Sequence, residues 1–165
     1  MESYYRPEHW HEAFVMVGGA SAALAGLLIV AVSVRADQIA DHLWMRARNT
    51  TISMVTLTVG SLILLTPQPS TLSGLEVILF NLLCAASLPG PVVLYYLRRR
   101  KDASIWVPTL AFSLYLLAAA GGLSIMLGRG GGIIWIAIAY GAYLLFAPYN
   151  AFLLLIPRKE ISPTQ

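Results

Sequence analysis

The sequence predicts an all-α fold, an integral membrane helical bundle with five transmembrane helices. Three observations carry that prediction. The 165-residue chain is 58% hydrophobic and only 12% charged, with mean hydropathy +0.70. A soluble domain keeps about 25% of its residues charged, because its surface faces water. Five apolar runs each approach the roughly 20 residues that a helix needs to cross about 30 Å of hydrocarbon. Between the runs lie prolines, glycines and blocks of Lys and Arg, as short loops at a membrane surface require.

The first helix is expected over about 13–34, after a short extracytoplasmic tail, MESYYRPEHWHE, at 1–12. That tail lacks the cationic start of a cleaved signal. Next, RADQIADHLWMRAR sets Ile39, Leu43 and Ala47 at i, i+4 and i+8. The pattern fits a short helix on the inner leaflet, or a cytoplasmic extension of the helical hairpin. A second helix, about 49–66, stops at Pro67-Gln68-Pro69. The third, about 72–97, would be roughly 39 Å long at 1.5 Å per residue. That exceeds the hydrocarbon thickness, so Pro89-Gly90-Pro91 is read as a kink that helps it fit. The fourth covers about 104–127 and ends at the flexible Gly128-Arg129-Gly130-Gly131-Gly132. The fifth covers about 133–156, leaving 157–165 as a short cytoplasmic tail, so 1–165 forms a single transmembrane domain. Trp10, Trp44, Trp106 and Trp135 all fall near expected helix ends, where indole prefers the headgroup layer.

Cations set the orientation, because Lys and Arg are retained in cytoplasmic loops. Five crossings collect Arg35, Arg46 and Arg48, then Arg98, Arg99, Arg100 and Lys101, then Arg158 and Lys159 on one side. Only Arg6 and Arg129 of the 11 Lys and Arg remain on the other. The N-terminus is therefore expected outside and the C-terminus inside, with Arg98, Arg99, Arg100 and Lys101 as topology anchors. Turning the third segment back at its prolines would spoil this sorting. The clustered cations suit anionic lipid and give no sign of nucleic-acid binding.

Chemistry has few footholds. Gly18, Ala22 and Gly26 repeat every four residues in the first helix, flanked by Gly19 and Ala23. Small residues at that spacing let two backbones approach closely in lipid, so these five are read as helix-packing positions. Ala118 to Gly122, with Ala137 and Gly141, offer similar surfaces. No ionisable residue lies near the centre of an apolar run; Glu76 comes nearest, close to the outer end of the third helix. Proton-coupled transport, which relies on buried carboxylates or histidines, loses its usual signature. Uncharged polar groups do occur: Asn81, Tyr140, Tyr143 and Asn150 are candidates for interhelical hydrogen bonds or a polar path, with Ser53, Thr56 and Gly60 a weaker stripe. Pro148 is expected to kink the fifth helix.

Glu8-His9-Trp10-His11-Glu12 reads as a polar tail at the interface rather than a metal site, without an HExxH pattern. The single Cys84 allows no intrachain disulfide and reads as a packing residue. No catalytic residue, cofactor or metal is expected.

FVMVGGASAALAGLLIVAVSV at 14–34 and LWMRARNT at 43–50, with Ile39 between them, resemble small bacterial multi-spanning membrane proteins labelled modulators of the FtsH membrane protease. The likeness covers about 10–66 and brings no catalytic residue to carry over. It implies a bacterial cytoplasmic (inner) membrane location and a non-enzymatic accessory or modulator subunit. Such a protein works through helix–helix contacts with a membrane-protein partner or a second copy, in the lipid bilayer. A small oligomeric channel or facilitator for ions or small solutes, lined by Asn81, Tyr140, Tyr143 and Asn150, is the alternative.

Overall fold

The computed structural model describes residues 7–34, 41–90, 93–94, 106–129 and 131–155, with side chains over 9–34, 47–90, 93–94, 108–129 and 131–146. A 3-10 turn, Pro7–Trp10, leads into α1 (His11–Val34), followed by α2 (Asp41–Leu65), α3 (Ser70–Ser87), α4 (Trp106–Met126) and α5 (Gly132–Leu155). Among the described residues these elements are all helical. Four helices are long and apolar enough to cross a membrane: α1, the Ala47–Leu65 part of α2, α3, and the Pro108–Met126 part of α4. In α5 the apolar stretch Gly132–Phe146 is shorter, within a helix of 24 residues.

The helix ends have local causes. α2 begins at Asp41, so 41–48 continue the second helix rather than forming a separate inner-leaflet element. It stops before Pro67, where the backbone loses a donor. α4 closes with paired bonds, Arg129 N–H to the Ser124 carbonyl and Gly128 N–H to that of Ile125, both 3.0 Å. Gly128 sits at φ 63°. This is a Schellman cap, which favours glycine because the left-handed position clashes with a Cβ. α5 runs on through Pro148 as one continuous helix.

The third helix differs from expectation. α3 ends at Ser87, not near 97, and Leu88 forms a turn whose N–H reaches the Cys84 carbonyl at 3.0 Å. The next residue, Pro89, has no N–H to offer the Ala85 carbonyl, so the ladder ends one residue before it. Helical geometry returns at 89–90 and 93–94. The 18 residues of α3 span about 27 Å, which matches the bilayer core without the extra length. Arg98, Arg99, Arg100 and Lys101 lie outside the described residues.

Consecutive helices pack as antiparallel neighbours, α1 also meets α5, and α2 touches α5 across the ring so formed. The interior is mainly apolar, with Phe14, Met54, Leu57, Val77 and Ile136 buried, but it also takes in small polar residues while large apolar ones lie outside. Ser21, Ser61, Ser73 and Asn81 are at most 1% exposed, whereas Leu27, Val30, Leu62, Leu79, Leu83 and Leu145 are more than half exposed. In water that arrangement would be costly. In lipid, large apolar side chains can face the solvent at no cost, and small and polar ones are favoured at helix interfaces.

Glycines set the closest approaches. A Cβ added at Gly74 would stand 2.6 Å from the Gly122 carbonyl oxygen, and one at Gly122 would stand 2.9 Å from that of Gly74. Gly121 and Gly132 reciprocate in the same way, at 2.6 and 2.5 Å. Together they clamp α3, α4 and α5 backbone to backbone near one end of the bundle.

Candidate functional site

One group of interior polar side chains lies where α2 meets α4 and α5. On α2, Ser53, Thr56 and Gly60 lie three and four residues apart and so share one helix face. Thr56 Oγ1 donates to the Ser53 carbonyl at 2.8 Å and lies 3.1 Å from the Tyr115 hydroxyl of α4. Since the threonine proton is committed to Ser53, Tyr115 donates to Thr56. The Tyr115 ring packs on Tyr143 of α5, with centroids 4.9 Å apart and planes tilted 48°. Tyr143 in turn donates to the Ala111 carbonyl at 2.7 Å. Phenols from two helices are thus tied to α2 and to a backbone carbonyl, and both rings are buried.

One turn earlier on α5, Tyr140 enters a notch that exists because residue 60 has no side chain. A Cβ at Gly60 would come within 2.1 Å of the Tyr140 hydroxyl oxygen. Asn81 of α3 is buried as well. Its Nδ2 donates to the Val77 carbonyl at 2.9 Å. The Tyr140 hydroxyl, Asn81 Oδ1 and Ser61 Oγ are each buried without a hydrogen-bond partner in the protein. A buried polar atom left so costs about 1–3 kcal/mol. Ser61 is unusual among the helical hydroxyls. Ser21, Thr51, Thr58 and Ser113 each bond the carbonyl four residues back, whereas Ser61 turns toward Gly18 of α1.

Chemically this interior offers phenols, hydroxyls and one carboxamide. Its buried polar residues, Ser21, Thr50, Ser61, Ser73 and Asn81, include no carboxylate, imidazole or ammonium among the described residues. Such a set can exchange hydrogen bonds with a neutral polar group but supplies no acid–base pair. Asn81, Tyr140 and Tyr143 are each buried within the chain. Asn150 lies on α5, but its side chain is outside the described residues.

The small-residue stripe of α1 divides in two. Buried positions on this helix are Phe14, Gly18, Ser21, Ala25 and Leu28, alternating in steps of four and three like a coiled-coil seam. That seam shares only Gly18 with the four-residue repeat. Gly18 packs on Ser61, whose Cβ would lie 3.1 Å from an added one. Gly19, Ala22, Ala23 and Gly26 are exposed, and a Cβ at Gly19 or Gly26 meets nothing within 4 Å. In α4, by contrast, Ala118, Ala119, Gly121 and Gly122 are buried.

The remaining candidates stand apart. Glu76 accepts a 2.8 Å bond from Gln68 Nε2, pinning the Pro67–Pro69 loop to α3. His9 and His11 are exposed, and no group of three His, Cys, Asp or Glu able to hold a metal occurs among the described residues. Cys84 is buried. Sequence reasoning passed over Tyr115, Ser21 and Ser61. The signal for Tyr115 was its depth, since a tyrosine midway along an apolar helix lies far from the headgroup layer that tyrosine favours.

Comparison with family models, with curated proteins and with solved structures returned no match.

Proposed function

We propose that the chain is a non-enzymatic multi-pass protein of the bacterial cytoplasmic membrane that acts by helix–helix contact, as an accessory or modulator subunit of a complex such as a membrane protease. In this reading α5 makes the fifth crossing, with the N-terminus outside and the C-terminus inside. The observation that carries the proposal is the uncovered face of α1. Gly19, Ala22, Ala23 and Gly26 are exposed, and among the described residues nothing comes within 4 Å of a Cβ placed on Gly19 or Gly26. Lipid tails gain little from a flat strip of small residues, while a second helix can come close against it.

Photocrosslinking from α1 in the native membrane, followed by mass spectrometry, tests this. A specific crosslinked protein should appear, and Gly19→Leu with Gly26→Leu should abolish it while leaving the purified chain folded. Crosslinks to lipid alone, or a partner indifferent to both leucines, would refute the reading. Orientation is tested separately by alkaline phosphatase fusions, with high activity expected after Gly130 and low activity after Lys101 and Lys159.

A facilitator is the second reading, favoured by the burial of the polar side chains Asn81, Tyr140 and Tyr143. Solute flux in proteoliposomes that disappears in a folded Asn81→Leu variant would support it. Sealed vesicles would remove it.

A further inference from the structure

We infer that Glu76, positioned by Gln68, binds the ammonium headgroup of an ethanolamine phospholipid whose acyl chain lies along the leucine face of α3. Glu76 is the one acidic residue of α3, and it lies six residues, about 9 Å, into that apolar helix. Its side chain leans toward the helix N-terminus, and its Oε2 accepts from Gln68 Nε2 at 2.8 Å. The same nitrogen lies 3.5 Å from the Ile63 carbonyl of α2. The carboxylate is therefore held at the level of the Pro67–Pro69 loop, on the rim of the apolar layer, and it is half-buried there.

That bond leaves the charge uncompensated, because Gln68 is neutral. The Lys and Arg side chains among the described residues are Arg48, near the opposite end of α2, and Arg129, between α4 and α5. No ion pair joins either of them to Glu76. A carboxylate at this depth is costly to keep without a counter-charge.

The class of ligand follows from the surroundings. Leu72, Leu79 and Leu83 lie four residues before and three and seven after Glu76, so they share its helix face. All three are exposed. Close helix packing in lipid favours small residues, which this face lacks and the open face of α1 has. A column of leucines suits an acyl chain instead. One carboxylate offers two oxygens, too few to replace a metal cation's oxygen shell. A primary ammonium supplies both the opposite charge and N–H donors, whereas a quaternary choline has no N–H to give. An ethanolamine lipid thus meets the carboxylate with its headgroup and the leucines with its chain.

The test uses the full purified chain and native mass spectrometry, with dioleoyl phosphatidylethanolamine, phosphatidylcholine and phosphatidylglycerol added in turn. The ethanolamine lipid should be retained about two- to fivefold more than the choline lipid, the range of a partly exposed ion pair, and the glycerol lipid least. Glu76→Gln keeps an acceptor for Gln68 but loses the charge. It should retain the ethanolamine and choline lipids equally, with a parent-like melting curve by circular dichroism. Equal retention of the two lipids by the parent overturns the inference, whether or not the variant folds. An unchanged preference in folded Glu76→Gln also overturns it, since the amine then binds elsewhere. A photocrosslinker at Leu79 in the native membrane should recover phospholipid; a protein captured in its place overturns the lipid as occupant.

Discussion

Glycine has opposite surroundings in two regions of this molecule. Between α3, α4 and α5, Gly74, Gly121, Gly122 and Gly132 each face another helix's backbone oxygen at 2.5–2.9 Å from an ideal Cβ. On α1, Gly19 and Gly26 face nothing within 4 Å. Both regions carry small residues at helical spacing, so the motif alone does not say whether a contact is made. Contact depends on how the helix is rotated, and the rotation is set by the whole ring of neighbours. The first region spends its glycines on internal clamping. The second leaves an equivalent surface turned toward lipid, which is why the proposed partner is assigned there.

The largest effects should come from breaking the clamp. Gly74→Ala puts a methyl group 2.6 Å from the Gly122 oxygen and 2.7 Å from the Met126 nitrogen. Both are backbone atoms, so neither can rotate away. Gly132→Ala meets the Gly121 oxygen at 2.5 Å in the same manner. Overpacking costs typically about 1–3 kcal/mol and outweighs the gain of about 1 kcal/mol from replacing glycine in a helix. Each variant should unfold at lower denaturant concentration, in a titration followed by circular dichroism. A parent-like midpoint for either would mean that the helices are not in backbone contact.

Gly60→Ala should come next, because its obstacle is a side-chain tip. The phenol of Tyr140 must withdraw, and with it the contact between α2 and α5. Removing the hydroxyl as well, in Gly60→Ala with Tyr140→Phe, should recover part of the lost stability. The nearest remaining ring atom would then be Cζ at 2.8 Å. Absence of any rescue would place the strain elsewhere. Tyr143→Phe should cost less, on the order of 0.6 kcal/mol and at most about 1.7 kcal/mol, the range of interhelical hydrogen bonds in membranes. It removes one 2.7 Å bond to Ala111 and keeps the ring packing on Tyr115.

Much of this architecture was readable beforehand. Apolar runs ended at Pro67 and at Gly128 for reasons of donor loss and left-handed geometry, and the helices stop there. The early end of α3 was harder to see, since Val92–Leu97 continues the apolar pattern and only the missing N–H of Pro89 marks the break. The site was legible in part. Asn81, Tyr140 and Tyr143 stood out as polar groups in apolar runs, and all three are buried. Tyr115, on which the Tyr143 ring packs, did not stand out, because it meets Thr56 only through a contact 59 residues apart in sequence. Of the α1 stripe, Gly18 alone is buried within the chain. A four-residue repeat marks a face capable of close packing, but the seam that forms within the chain follows Phe14, Gly18, Ser21, Ala25 and Leu28.

The smallest expected effect is also the sharpest probe of the comparison. Gly19→Ala and Gly26→Ala add methyl groups to open space, so no overpacking opposes the helix-propensity gain of up to about 1 kcal/mol. The isolated chain should be as stable as the parent or slightly more so, opposite in sign to Gly74→Ala. If the same substitutions reduce recovery of a crosslinked partner, the glycines are there for a surface outside the chain, since inside it they relieve no crowding. If they destabilise the isolated chain, α1 is rotated from the orientation described and the open stripe is a covered one.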